Sequence, residues 1–187
     1  MNEVLQTIQN RFSCRSYTGE PIEQEKLDAI VKAALQSPTA MDAQRFKLIV
    51  ITNKDIVDQL NEEALQVLKN DPDPSLYERI KSRGGVVYYN APCMVLVLKD
   101  ADSKHGICDS GIMVQTMSLA ATSLGIDSVI CAMAAIPFSD KSKKAAEYKK
   151  KVGWEEGQEF AMGILLGQGN MTKEPHAIRP EKVHYVN

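Results

Sequence analysis

Residues 109–124 read as a helix that is apolar almost all the way round. Ile112, Met113, Val114, Met117, Leu119, Ala120, Ala121 and Leu124 leave little polar face. A helix with one apolar stripe can rest on a core, but one that is apolar on every side must be covered on every side. Gly125 ends it as the residue beyond the C-cap. In a chain of 187 residues, a second subunit is one way to supply that cover. The run Met94-Val95-Leu96-Val97-Leu98 adds a related demand. It reads as a central strand apolar on both faces, so a layer must lie on each side of it.

The remaining elements fit around these two. Val4, Leu5, Ile8 and Phe12 recur at helical spacing over residues 3–12, with Asn2 as a candidate N-cap. A second helix runs from Pro21 to about residue 35, with Leu27, Ile30, Val31, Ala34 and Leu35 on its stripe. Ser37-Pro38-Thr39 ends it, because a residue before proline avoids helical dihedrals. Phe46–Thr52 reads as a buried strand, and Asn53 caps a third helix reaching about Lys69. Asp71-Pro72-Asp73-Pro74 breaks the chain before a short helix over 75–83 and the loose pair Gly84-Gly85. Ile126–Cys131 and Phe160–Leu166 are further strands. The lysine-rich stretch Asp140–Val152 is expected as a solvated surface helix. From Gln168 onward periodicity is lost, and Pro175 and Pro180 interrupt the chain; such a tail is frayed or laid across a partner. The order is mixed α and β, with about four strands separated by helices. No composition shift divides it, so residues 1–187 are expected to form a single domain.

Several function classes have no support. Formal net charge is -2, which gives no basic excess for nucleic acid. No apolar run approaches the roughly 18 residues that span a bilayer. The N-terminus lacks the basic-then-apolar pattern of a signal peptide, so a cytoplasmic protein is expected, with no membrane partner. Cys14, Cys93, Cys108 and Cys131 are widely spaced, with no CxxC, which argues against a zinc site or a disulfide scaffold. Each reads as a small buried residue or a free thiol; Cys14, between two arginines, is a candidate for exposure. Neither the GxGxxG nor the GxxxxGK[ST] fingerprint is present. His105, His176 and His184 fall in loops or the tail, and no side chain stands out as a nucleophile, acid or base.

The stretch with a chemical signature is Arg11-Phe12-Ser13-Cys14-Arg15-Ser16-Tyr17. In extended backbone, residues two apart point the same way, so Arg11, Ser13 and Arg15 share a face. Planar guanidinium donors pair with two oxygens at once, which suits them to a phosphate. Two readings of this face stand: a grip on the phosphate of a cofactor, or solvated arginines beside a turn-forming serine.

Three separated pieces resemble the FMN-dependent nitroreductase family when taken together. They are the arginine segment after its helix; Ser37-Pro38-Thr39-Ala40-Met41-Asp42-Ala43-Gln44-Arg45-Phe46 leading into a strand; and the long apolar helix followed by Leu-Gly-Ile-Asp-Ser, a late Leu-Leu-Gly strand end and Arg179-Pro180. The resemblance implies an α+β fold with a mostly antiparallel sheet flanked by helices, in an intertwined homodimer whose core is the apolar helix. The arm 168–187 would pack on the partner subunit. FMN would bind at the dimer interface, with Arg11, Phe12, Ser13 and Arg15 around its phosphate and ribityl chain and Arg179 adding a cation. Pro38, Thr39, Ala40 and Asp42 would reach the flavin from the partner. The backbone from Ile130 through Ala132 to Met133 would lie along the ring. The implied reaction is ping-pong: NAD(P)H gives hydride to the flavin, and a nitroaromatic, quinone or similar small oxidant then takes the electrons. A flavin-binding sensor or carrier that does not turn over is the alternative.

Three positions depart from the family pattern. Asp42 stands where Asn is usual, and an ionised carboxylate near the flavin would disfavour its reduced anion. Arg45-Phe46 replaces Pro-Trp, and Ala132-Met133 replaces a Glu-Gly pair found in some members. Gln44 reads either as satisfying backbone or as a flavin contact.

Overall fold

A computed structural model describes residues 1–186. Among the described residues, six α-helices and four strands follow one another. The strands are β1 (Phe46–Ile51), β2 (Cys93–Asp100), β3 (Asp127–Ile130) and β4 (Gln158–Gly167). They form one sheet in the order β1-β2-β4-β3, antiparallel at every pairing. The fold is therefore the α+β class expected, with β2 central.

The two-faced character of β2 organises the packing. Met94, Leu96 and Leu98 point into one buried cluster, and Cys93, Val95 and Val97 into the other. The first cluster is covered by α3 (Lys54–Lys69), α4 (Ser75–Lys81) and a 3-10 segment over Ala132–Phe138. The second is covered by α2 (Gln24–Leu35) and α5 (Gly106–Ser123), through Leu27, Ile30 and Ala34 against Met113, Met117 and Ala121. Side chains alternate across a strand, so an apolar run of this length feeds both layers at once.

The caps follow the sequence. The Asn2 side chain accepts from the Leu5 amide at the start of α1 (Glu3–Asn10), and Asn53 accepts from Asp55 and Ile56 at the start of α3. Each satisfies an orphan N–H of a first turn. At the end of α5, Gly125 takes a left-handed φ of 71°, and the Ile126 amide donates back to Ala121 O.

Five details differ from expectation. The first helix stops at Asn10, because Arg11 already has extended dihedrals. The second starts at Gln24 rather than Pro21; Ile22 packs against the α2–α5 cluster, which holds the chain extended before Glu23. The last strand is longer than expected and reaches from Gln158 to Gly167. The lysine-rich stretch is α-helical only over α6 (Ala145–Lys151). The Ser142 hydroxyl there donates to the buried Glu63 carboxylate at 2.7 Å, which fixes 139–144 as turns, and Tyr148 turns inward. Finally, α5 is buried along one stripe only, and Ile107 and Ile112 are exposed on the chain by itself.

Candidate cofactor-binding site

The arginine segment is extended and stitched to the sheet edge. Ser13 bridges Ser128 of β3, and the Cys14 amide donates to Ser128 O at 2.9 Å. Tyr17 then bridges Gly169 beyond β4, while the Thr18 amide donates to Gln168 O and Asn170 donates to Ser16 O. Cys14 faces inward and is fully buried, which corrects its expected exposure. Alternation therefore places Arg11, Ser13 and Arg15 on the outer side, with Arg11, Phe12 and Ser13 half-buried and Arg15 exposed. Tyr17 is buried again, three residues on, because the segment changes partners from β3 to the Gly169 stretch.

This seam leaves no room for side chains on its inner wall. A Cβ on Gly169 would lie 2.6 Å from Asp127 Oδ2 and 2.7 Å from Cys14 Sγ; one on Gly167 would lie 2.5 Å from Pro92 Cδ and 3.0 Å from Tyr17 Cδ1. The Gly169 amide also donates to Asp127 Oδ2 at 3.0 Å. Burial raises the Asp127 carboxyl, with that hydrogen bond opposing the rise. Burial likewise raises the Cys14 thiol and the Tyr17 phenol.

The predicted residues fall in three places. Arg15 and Met133 line one cleft, of about 250 Å³, together with Tyr17, Tyr89 and Asn90. Burial pushes the Cys131 thiol up to about 11, opposed by the Ala134 and Met133 amides and, least, by the Arg15 charge. At the end of β3, Ile130 and Ala132 are exposed and Met133 is half-buried. Arg11 lines a second groove, of about 400 Å³, with Leu5 and Ile8 of α1 and Pro175, His176 and Ile178 of the tail. Arg179 follows Ile178, exposed, and starts a 3-10 turn at Pro180–Lys182.

The 38–42 loop lies apart from both. The Ala40 amide donates to Asp109 Oδ1 at 3.1 Å, which ties the loop to the first turn of α5. The Gln44 amide donates to the Thr39 hydroxyl, and the Gln44 side chain donates to Asp42 Oδ1 at 3.0 Å. Gln44 thus braces this loop from within. Met41, Asp42 and Gln44 hold left-handed φ values of 57°, 52° and 48°. Non-glycine residues there carry strain, and such strain concentrates where a loop is shaped for contact. Pro38 and Asp42 are exposed, and Thr39 and Ala40 are half-buried. Among the described residues, no hydrogen bond joins 38–42 to Arg11–Arg15 within one chain.

Electrostatics separate one arginine from the rest. Arg45, where the family pattern has proline, pairs with Asp100 at 2.9 Å and with Asp102. It is committed to the β2 end. Among the described residues, none of Arg11, Arg15, Arg79, Arg83 and Arg179 forms a salt bridge with a carboxylate. Two of these, Arg79 and Arg83, line the Arg15 cleft and were not singled out from the sequence. Their four-residue spacing on α4 and the turn after it, with no acid at the matching positions, is the signal that carries them.

With this geometry in hand, similar proteins can be placed beside it. A sequence model described as the Nitroreductase family matches residues 8–168. A crystal structure of a nitroreductase with bound FMN from Desulfitobacterium hafniense is 40% identical, covers 100% of both chains and superposes with a TM-score of 0.94. A nitroreductase with bound FMN from Bacteroides fragilis is 26% identical with the same coverage and a TM-score of 0.90. An FMN reductase [NAD(P)H] of Bacillus subtilis is 36% identical over 64 residues, which span 26% of that protein's length.

Proposed function

The chain belongs to the nitroreductase family, and from that premise we propose that it is an FMN-dependent NAD(P)H oxidoreductase reducing nitroaromatics, quinones or similar small oxidants. The observation that carries the reading is the Arg15 guanidinium, in no salt bridge among the described residues, lining one cleft with Met133 just past the end of β3. An uncompensated cation beside exposed backbone is a cradle suited to a flavin with an anionic tail. Bound there, FMN supplies the hydride acceptance and electron delivery that side chains of this chain lack.

The residues divide the work by position. Arg11, Ser13 and Arg15 bind the phosphate and ribityl chain, and Arg179 adds a further cation against a phosphate charge of close to -2. Phe12, packed against the first core cluster, fixes the backbone between them. Ile130, Ala132 and Met133 offer a flat edge to the ring. No side chain is assigned as acid or base, so solvent delivers the protons.

The site is completed by a second copy. Leu5 and Ile8 of α1 and Ile178 of the tail line one groove and are exposed on one chain, as are Ile107 and Ile112 of α5. Such a patch on a soluble domain marks an interface. Covering it would bring Pro38, Thr39, Ala40 and Asp42 of one copy to the arginine segment of the other, which matches their separation within a chain. Residues 168–187 would form the arm laid across the partner. No described helix is long and apolar enough to cross a membrane.

Protein purified from cells should be yellow. Its visible flavin band should bleach on anaerobic addition of NADH or NADPH and return when a quinone is added. A colourless protein that takes up no flavin would refute the reading. A yellow protein that bleaches but does not pass electrons to any quinone or nitroaromatic would instead favour the sensor or carrier.

A further inference from the structure

The cleft beside Arg15 holds more positive charge than a flavin phosphate grip at the arginine segment requires. Arg15, Arg79 and Arg83 all line it, and no Asp or Glu does. This stands against a chain whose net charge is -2. Arg79 lies on α4 and Arg83 on the turn that follows it, and both line the cleft. Neither forms a salt bridge with a carboxylate among the described residues. Like charges held together without a counter-ion repel, and an incoming anion relieves that cost.

The opposite wall is built rather than accidental. Tyr89 and Asn90 hold consecutive left-handed φ values of 56° and 63°. Two such residues in a row are strained and persist only where their surroundings fix them. Here the Tyr17 amide donates to Tyr89 O at 3.0 Å, and Asn90 Nδ2 donates to Tyr17 O at 3.3 Å. The wall is thereby tied to the arginine segment.

Resting on the cofactor reading above, we infer that Arg79 and Arg83 form an anion subsite for the second substrate, distinct from the phosphate grip. It takes a compact oxyanion carried by a molecule that reaches the ring edge at Met133. Two sources share that chemistry: the 2′-phosphate of a nicotinamide donor and the carboxylate of an aromatic oxidant. Guanidinium forks suit either, because both present paired oxygens.

Calorimetric titration of the flavin-loaded protein separates these sources. NADP⁺ is compared with NAD⁺, and 4-nitrobenzoate with nitrobenzene, on the wild type, on Arg79→Gln/Arg83→Gln and on Lys81→Gln. Lys81 lies over the Tyr77 ring and does not line the cleft, so it controls for a general loss of charge. In the wild type one anionic ligand should bind about tenfold or more tighter than its partner, the scale of one charge-assisted contact. That ratio should fall to about twofold or less in the double variant and survive in Lys81→Gln. The pair that shows the effect names the source. Absence of preference in the wild type for both pairs, or its persistence in the double variant, would overturn the subsite. Loss of flavin from the double variant alone would also overturn it, by assigning the pair to the flavin. A wild type without flavin counts against the cofactor reading only, and the same titrations on that protein still decide the subsite.

Discussion

Arg15→Gln should yield a folded protein that binds FMN about 10–100-fold more weakly, the range set by losing one charge-assisted contact. Arg15 is exposed, and its own guanidinium makes only a 3.4 Å contact to Ser13 O. Its backbone amide, which donates to Met171 Sδ, remains in place. Stability should therefore change by no more than about 0.5 kcal/mol, as for other exposed positions. Adding Arg11→Gln should compound the loss to roughly a thousandfold, because the two cations hold one ligand at different points along it. Equilibrium dialysis against FMN, with denaturant unfolding as the control, reads both quantities. Wild-type affinity in the double variant would leave these arginines as solvated surface charge.

Gly169→Ala tests the seam that holds those arginines. The new Cβ would sit 2.6 Å from Asp127 Oδ2 and 2.7 Å from Cys14 Sγ, closer than real carbon contacts allow. Neither neighbour is free to give. Cys14 is fully buried, and Asp127 accepts the Gly169 amide. Relief requires moving the arginine segment off Ser128 or moving the 168–170 stretch off Tyr17. The expected cost is about 1–3 kcal/mol, typical of overpacking a closed site. FMN affinity should fall with it, although no predicted flavin contact has been altered. Unchanged stability would mean that the seam is looser than its hydrogen bonds imply.

Much of this architecture was legible because local and long-range signals agreed. The two-faced run Met94–Leu98 required layers on both sides, and the clusters on either side of β2 supply them. Asn2 and Asn53 cap the helices their positions indicated. What escaped was set by tertiary contact. The start of α2 depends on Ile22 packing across to the α5 layer, and the shortness of α6 depends on Ser142 meeting Glu63. Neither partner is near in sequence. The same applies to the site. Arg11, Ser13 and Arg15 share a face by simple alternation, yet Arg11 and Arg15 open onto different clefts. Arg79 and Arg83 line the same cleft as Arg15 from a distant stretch of the chain, a meeting that spacing along the sequence does not give.

The proposal that a flavin is held between two copies of this chain is tested most directly by sedimentation followed in the flavin's own visible band. One boundary should appear, at twice the 20.7 kDa mass of the chain, with all the flavin in it. Flavin sedimenting with a single chain would contradict the account, since Pro38–Asp42 of a second copy would then be dispensable.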